Sequence, residues 1–150
     1  MASFNKFNCF VEDMAKGKHT LDTSGNSGDT LKVALVANAP QATNTVFSNL
    51  TGELGASNGY SAGGTACTVS ASSQTGGTYK LVIHPDPVFT ANGGDLGGSG
   101  DVFRYVVLYN DTDSTKPLIG YYDYGSNVTV AAGNTFTVDF HQTNGVFTNT

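Results

Sequence analysis

Short apolar runs separated by turn-forming residues dominate the chain after residue 30. LKVALV (31–36) and FRYVVLY (103–109) are apolar enough for burial on both faces, whereas TYKLVIH (78–84) alternates as a half-exposed strand does. The runs recur about every 10 to 16 residues with no long helical pattern between them. This rhythm predicts one mainly β domain over residues 1–150, an antiparallel β-sandwich or Greek-key barrel rather than a doubly wound sheet. Further candidate strands are TACTVSASS, PDPVFTA, PLIGYYDYG, NVTVAAG and NTFTVDF.

The N-terminal segment has a different pattern, with apolar residues at spacings of three and four. Its stripe predicts one short helix over residues 4 to 16, with Ser3 as the N-cap and Gly17 as the stop. Residues 1–17 then either cap the open end of their own domain, which we favour, or form an arm that docks on another subunit. The stripe consists of Phe4, Phe7, Phe10, Val11 and Met14.

The stretch DVFRYVVLYND (101–111) raises the question of what covers a strand that is apolar on both faces. Strict alternation places Phe103, Tyr105, Val107 and Tyr109 on the face of the sandwich core. The other face, with Val106 and Leu108 beside Arg104, then needs a second cover. The N-terminal helix and a neighbouring subunit are the two candidates.

Composition and charge narrow the choice of partner. Only 13% of residues are charged, the formal net charge is −5, and the seven basic residues are scattered. A nucleic-acid partner needs clustered Lys and Arg, so none is expected. The first residues lack a basic start followed by an apolar run, and no run approaches 18 apolar residues, so the sequence predicts neither a signal peptide nor a membrane span. Cys9 and Cys67 lie in dissimilar segments, which favours two free thiols over a disulfide.

Catalytic motifs are weak. GYSAG (59–63) fits the G-x-S-x-G nucleophile elbow, and Asp111 or Asp123 followed by His141 would complete the order of an α/β-hydrolase triad. However, the elbow requires a helix after the serine, whereas GTACTVSASS predicts a strand. The glycine-rich segment 92–101 lacks both nucleotide-binding fingerprints and is expected to be a flexible surface loop.

Metal and cofactor sites are not predicted either. His19, His84 and His141 lie far apart in the sequence, and no His or Cys pair has ligand spacing. Asp111 and Asp113 form a D-x-D, but the glycine and glutamate of an EF-hand loop are missing. These aspartates are better explained as hairpin-loop residues that bind their own backbone.

Aromatic residues cluster in two adjacent predicted strands, and two interpretations stay open. The rings either fill the core and an outward contact with a partner, which we favour, or form a glycan-binding platform flanked by Arg104, Asn110 and Asp123. A nucleic-acid platform is disfavoured because only Arg104 and Lys116 supply positive charge nearby. The cluster comprises Phe103, Tyr105, Tyr109, Tyr121, Tyr122 and Tyr124.

Taken in order, several motifs resemble a known group of proteins. They are F-x-x-F-x-E-D near the start, LKVAL-x-x-x-AP, GY-x-AGG, FRYVVLYNDT, PLIGYYDYG, and TFTVDF with a late GVF. Together they resemble small structural proteins encoded among the virion genes of tailed bacteriophages and prophages. The resemblance covers nearly the whole chain and carries no catalytic signature.

The resemblance implies a function. Such β-sandwich proteins often decorate phage heads at the junctions between major-capsid subunits, and many are trimers. We therefore expect a non-enzymatic capsid decoration (cement) protein on the virion surface, made in the host cytoplasm, that binds the major capsid protein and forms a homo-oligomer, with a trimer favoured. A tail, adaptor or fibre-base component is the alternative, and a glycan-binding module a more distant one. The candidate contact residues are Phe4, Phe7, Phe10, Val11, Met14, Arg104, Tyr121 and Tyr122.

Overall fold

The computed structural model describes residues 2–150 and is mainly β, with antiparallel sheets and one short helix. The predicted fold class is therefore confirmed. A single 3-10 turn, Phe47–Asn49, lies in the segment whose sequence pattern was ambiguous. In chain order the elements are β1 (Phe4–Lys6), α1 (Cys9–Ala15), β2 (Leu31–Val36), β3 (Thr65–Ala66), β4 (Val69–Thr75), β5 (Thr78–Ile83), β6 (Val88–Thr90), β7 (Phe103–Asn110), β8 (Leu118–Val128), β9 (Thr135–Thr137) and β10 (Phe147–Asn149).

The strands form three antiparallel sheets that share one main core. The largest sheet has the order β1-β8-β7-β2-β3, the second β10-β5-β4, and the third consists of β6 and β9. Buried side chains of all three sheets meet in that core, which gives a sandwich-like arrangement. Within residues 2–150, no helix is long and apolar enough to cross a membrane. Representative members of the core are Leu35, Leu108 and Ile119 from the first sheet, Leu81 and Ile83 from the second, and Phe89 from the third.

A second, smaller core covers the other face of the large sheet. This second core explains why β2 and β7 are buried on both faces. Their side chains that point away from the main core are covered by the 3-10 turn and the N-terminal segment. The ring of Phe47 packs against that of Tyr109 in a tilted arrangement, with ring centroids 4.4 Å apart. The second cover of β7 is thus supplied from within the chain. The buried members of this cluster are Phe7, Ala34, Val36, Tyr105, Val107, Tyr109 and Leu118.

One predicted face assignment is wrong. Phe103 belongs to the main core with Val106 and Leu108, whereas Tyr105 and Val107 lie in the second core. The change of face coincides with a register irregularity, because Phe103 pairs with Val128 of β8 whereas Tyr105 pairs with Asp123. The additional residues of β8 at this point interrupt the regular ladder, so strict alternation of side chains does not hold along β7.

The N-terminal segment also differs from the prediction. Its helix is shorter than 4–16 because Phe4 lies in β1, paired with Tyr122 of β8, and Ser3 therefore caps no helix. Gly17 ends the helix as predicted, with φ +73° and its N–H bonded to the Met14 carbonyl. The segment packs on its own chain, since Phe10 is buried in the main core.

The predicted hairpin at QTGG is confirmed. Gly76 and Gly77, both with positive φ, form a two-residue turn between β4 and β5. Only residues without a side-chain penalty at positive φ suit such a turn. The glycine-rich segment 92–101 is not wholly a surface loop, because Leu96 is 1% exposed in the main core and its N–H donates to the Val130 carbonyl.

Candidate functional site

An apolar groove lies beside β8 and β9. Its volume is about 400 Å³, and we call it the aromatic groove. Tyr122 and Tyr124 project from β8 on the same face, because they lie two residues apart on a strand. The remaining lining residues are Ala2, Val106, Phe136, Thr137, Val138 and Asp139.

Contacts between rings hold the walls of the aromatic groove in place. Tyr124 meets Phe136 edge-on with centroids 5.9 Å apart, and Phe136 in turn meets Phe103 edge-on at 4.7 Å. Tyr122 packs against Phe140 at 5.9 Å, and burial raises the pKa of its phenol. Edge-to-face pairs of this kind add to the energy of apolar burial. The groove is therefore largely preformed.

The groove combines exposed apolar area with a single carboxylate. Tyr124 is 57% exposed and Val88 is 50% exposed, and Val88 pairs across the strands with the lining residue Thr137. These are two of the three large apolar residues that are exposed within residues 2–150; the third is Val11. Asp139 is the one charged side chain in the lining. Exposed apolar patches of this kind are typical of binding surfaces.

The predicted contact residues do not form one surface. Tyr122 lines the aromatic groove, whereas Tyr121 lies on the opposite face of β8 against Phe7. Arg104 is engaged by Asp123 through two hydrogen bonds of 2.7 and 2.8 Å. The glycan-platform interpretation loses its third flanking residue, since Asn110 is fully buried.

The apolar stripe of the N-terminal segment is divided as well. Phe7 and Phe10 are 0% and 2% exposed, so their side chains offer no surface to a partner in this conformation. Val11 is 49% exposed. A second, smaller hollow of about 210 Å³ lies between Phe4, Phe10, Val11 and Phe147. Contact roles for these residues stay predictions.

Phe136 and Asp139 are among the groove residues that the sequence analysis did not single out. Tyr124 was visible in the aromatic cluster, but β9 belongs to a different sheet from β8. The residues of a strand as short as TFT do not indicate with which other strand it pairs. Its position follows instead from its pairing with β6, where Phe136 lies opposite Phe89.

A buried polar cluster lies at the end of β7, away from any predicted site. The Asn110 amide donates to Asp29 Oδ2 at 2.6 Å and to the Lys18 carbonyl at 2.9 Å, and its oxygen accepts from the Thr112 N–H. His19, 7% exposed, contacts this amide through Nδ1 at 3.4 Å. Its Nε2 has no hydrogen-bond partner among residues 2–150. The cluster joins the segment after α1 to the core strand β7.

Electrostatics around His19 favour the neutral ring. Burial lowers the pKa of His19, and the carboxylates of Asp13, Asp29 and Asp113 oppose that shift without cancelling it. A charged imidazole loses solvation in such a site. Asp13 itself is 5% exposed and forms an ion pair with Lys18, whose Nζ lies 3.0 Å from Asp13 Oδ1.

The residues of the GYSAG motif and of the D-x-D pair lie in loops and turns of the fold. Ser61 is exposed in a loop that leads to β3 rather than to a helix, so GYSAG does not form a nucleophile elbow. Asp111 pairs with Lys32 and Lys116 at 2.9 Å each, and Asp113 accepts from the Thr115 N–H in its own turn. Among residues 2–150, no group of three His, Cys, Asp or Glu side chains is arranged to hold a metal ion.

Both cysteines are free. Burial raises the pKa of Cys9 to about 11, and the neighbouring Asp13 adds to that shift. Burial alone raises the pKa of Cys67 to about 12. Thiols with such pKa values are poor nucleophiles at neutral pH.

Comparison of the chain with protein-family models, curated proteins and solved structures gives no match.

Proposed function

We propose that this chain is a non-enzymatic virion structural protein of a tailed bacteriophage, a capsid decoration protein that stabilises the head shell by binding the major capsid protein. The ordered motifs that resemble phage virion proteins support the class of protein. The mainly β, sandwich-like fold is the one that this resemblance implies. The observation that carries the proposal is the aromatic groove, a preformed apolar surface open to a protein partner.

The groove suits an apolar side chain of the shell. Protein interfaces derive most of their affinity from a few anchors that fill well-packed pockets, with aromatic residues enriched among them. Tyr124 of the lining and Val88, which pairs with the lining residue Thr137, supply accessible apolar area, and Tyr122 and Phe136 supply the walls. The contact would bury area that is exposed in the isolated chain, which favours binding at about 25 cal/mol per Å² before the costs of association.

The charges of the chain support a protein partner over a nucleic acid. Five of the seven basic residues are in ion pairs with carboxylates of the same chain. Their positive charge is therefore largely neutralised locally and gives no basic stripe for phosphates. A homo-oligomer, with a trimer favoured by the resemblance, stays a prediction.

The experiment measures binding to phage heads stripped of this protein. Tyr124→Ala should weaken rebinding, whereas Val11→Ala tests separately the exposed apolar position of the N-terminal segment. Loss of binding in Val11→Ala alone would place the contact at the N-terminal segment instead. Unaltered rebinding by both variants would contradict docking through the groove.

Copy number separates the head from the tail. A decoration protein is present in hundreds of copies per virion, whereas about six or twelve copies would indicate a tail, adaptor or fibre-base component. Quantitative mass spectrometry of purified virions measures this number. Its absence from virions would overturn the proposal as a whole.

A glycan-binding module is the second candidate, favoured by the same groove. Ligand sites are concave and mostly apolar, with a few polar groups that orient the ligand. Tyr122 and Tyr124 offer ring surfaces, and Asp139 and Thr137 offer hydrogen-bonding groups beside them. Retention of the isolated protein on immobilised saccharides, lost in Tyr124→Ala, would support this candidate over capsid decoration.

A further inference from the structure

Strand β4 forms one edge of the second sheet. It pairs with β5 on one side, and within residues 2–150 no strand pairs with its other side. The residues from Ser73 to Thr75 are exposed, and Ala71 and Ser72 are half-buried. An edge of this kind presents unpaired backbone N–H and C=O groups.

The hairpin geometry tells which backbone groups are free. Thr75 and Thr78 flank the two-residue turn and so form a hydrogen-bonded pair. Because the pattern alternates, Ser73 also directs its N–H and C=O at β5, whereas Ser72 and Gln74 direct theirs outward. Apart from the ladder with β5, residues 70–75 make no backbone–backbone hydrogen bond to the described residues.

The first part of this strand is in contact with the segment before β2, as far as Ser72, whose Oγ donates to the Leu21 carbonyl. The Ser24 N–H donates to the Val69 carbonyl at 2.9 Å, and the Val69 N–H donates to Ser24 Oγ at 2.9 Å. The register irregularity of β4 also lies at this end, between Val69 and Ala71. The edge is therefore open from Ser73 to Thr75, and the outward backbone groups of Ser72 make no backbone–backbone hydrogen bond to the described residues.

The open part of β4 lacks the devices that keep edge strands apart. Sheet edges are normally protected by charged residues, prolines, bulges or short length. Residues 72–75 read Ser-Ser-Gln-Thr, with no charge and no proline. By contrast, β1 is three residues long and carries Lys6, and β3 has two residues.

We infer that β4 is a self-association surface, at which two copies of this chain pair their β4 strands antiparallel and join their three-stranded sheets into one. The length of the strand identifies its partner. The other edge strands of the described chain have at most three residues, so the β4 strand of a second copy is the one that matches its length. The inference does not depend on the proposed function.

The chemistry of the edge agrees with self-pairing. With Ser73 at the two-fold axis, Ser72 of one copy lies opposite Gln74 of the other, and the two outward pairs form about four backbone hydrogen bonds. No like charges meet, and hydroxyl side chains suit neighbouring positions across strands. A contact of this symmetry closes at two copies. It therefore gives a dimer, in contrast to the trimer that the resemblance implies.

The test uses Gln74→Pro, which removes an outward N–H without removing a bond to β5. Proline is tolerated on edge strands where its nitrogen faces solvent. Gln74→Ala is the matched control, because it loses the same side chain, including the bond from the Gly77 N–H to Oε1, but keeps the backbone N–H. Sedimentation equilibrium of the full chain should give a dimer whose dissociation constant rises about tenfold or more in Gln74→Pro and little in Gln74→Ala.

A charge-swap experiment tests the register. Ser73→Lys and Ser73→Asp should each be monomeric, because like charges meet at the axis, and an equimolar mixture should restore the dimer. Circular dichroism confirms that each variant is folded. A monomeric wild type at high micromolar concentration, or a dimer or trimer unaffected by Gln74→Pro and by Ser73→Lys, would overturn the inference.

Discussion

Arg104 and Asp123 are joined by two parallel hydrogen bonds across β7 and β8, from Nε to Oδ1 at 2.7 Å and from Nη2 to Oδ2 at 2.8 Å. The pair lies beside the register irregularity that changes the face of Phe103. The guanidinium also lies 5.4 Å from the centroid of the Tyr105 ring. The two parallel hydrogen bonds of this pair require the planar guanidinium group of arginine, which lysine lacks.

The first prediction concerns this ion pair. Asp123→Asn and Arg104→Lys should each lower the midpoint of thermal unfolding slightly at neutral pH, because both groups are about one-third exposed and water weakens their attraction. The Arg104 guanidinium and then the Gly125 N–H lower the pKa of Asp123 below its ordinary 3.8. The stabilisation is therefore present above pH 3.8 and is lost as the pH falls through the lowered pKa. Thermal melts of wild type and Asp123→Asn should converge in acid; a constant difference would contradict the assignment.

The second prediction concerns His19. Its pKa is lowered by burial, so the unfolded chain binds this proton more readily than the folded one. Stability should therefore decline as the pH falls below the ordinary pKa of 6.5, and His19→Gln should remove that part of the decline. Urea unfolding at several pH values measures the slope. His84→Gln, at an exposed position, is the control; equal slopes in wild type and His19→Gln would refute the prediction.

The third prediction concerns Asn110, the centre of the buried polar cluster. Asn110→Ala should lower the free energy of unfolding by about 1–3 kcal/mol, because the Asp29 carboxylate loses one of its hydrogen bonds and the Thr112 N–H loses its side-chain acceptor. The matched control is Asn127→Ala, at an exposed position in β8. Urea denaturation compares the two variants. A loss in Asn110→Ala no larger than in the control would show that the cluster adds nothing to stability.

The fourth prediction concerns the close contact between Gly120 and Phe4. A methyl group at position 120 would meet the Phe4 ring, so Gly120→Ala should displace β1 and cost about 1–3 kcal/mol. In a Phe4→Ala background the same change should cost less, because most of the clash is gone. A double-mutant cycle by urea denaturation measures this difference. Additive effects would mean that the ring is not what limits position 120.

The sequence predicts strand locations well and side-chain faces less well. LKVALV forms β2 at its predicted bounds, because a short apolar run between turns is typical of a buried strand. The face of Phe103 was predicted wrongly because the irregular pairing of β7 with β8 at this point has no signature in the side chains of β7.

The N-terminal stripe shows a second limit of pattern analysis. Spacings of three and four also arise where a chain turns around the edge of a sheet. Phe7 and Phe10 fit a helical stripe, yet they are buried in different cores. Only part of the aromatic groove could be predicted from the sequence. Tyr122 and Tyr124 lie close together in β8, whereas Phe136 belongs to another sheet.

The pairing of β1 with β8 has a consequence for how the protein is made. Tyr122 lies about 120 residues after its partner Phe4, so it is synthesised on the order of ten seconds later at typical translation rates. During that interval β1 lacks the strand with which it pairs. The large sheet can close only after β8 has been synthesised, so the folding of this sheet depends on contacts between residues far apart in the sequence.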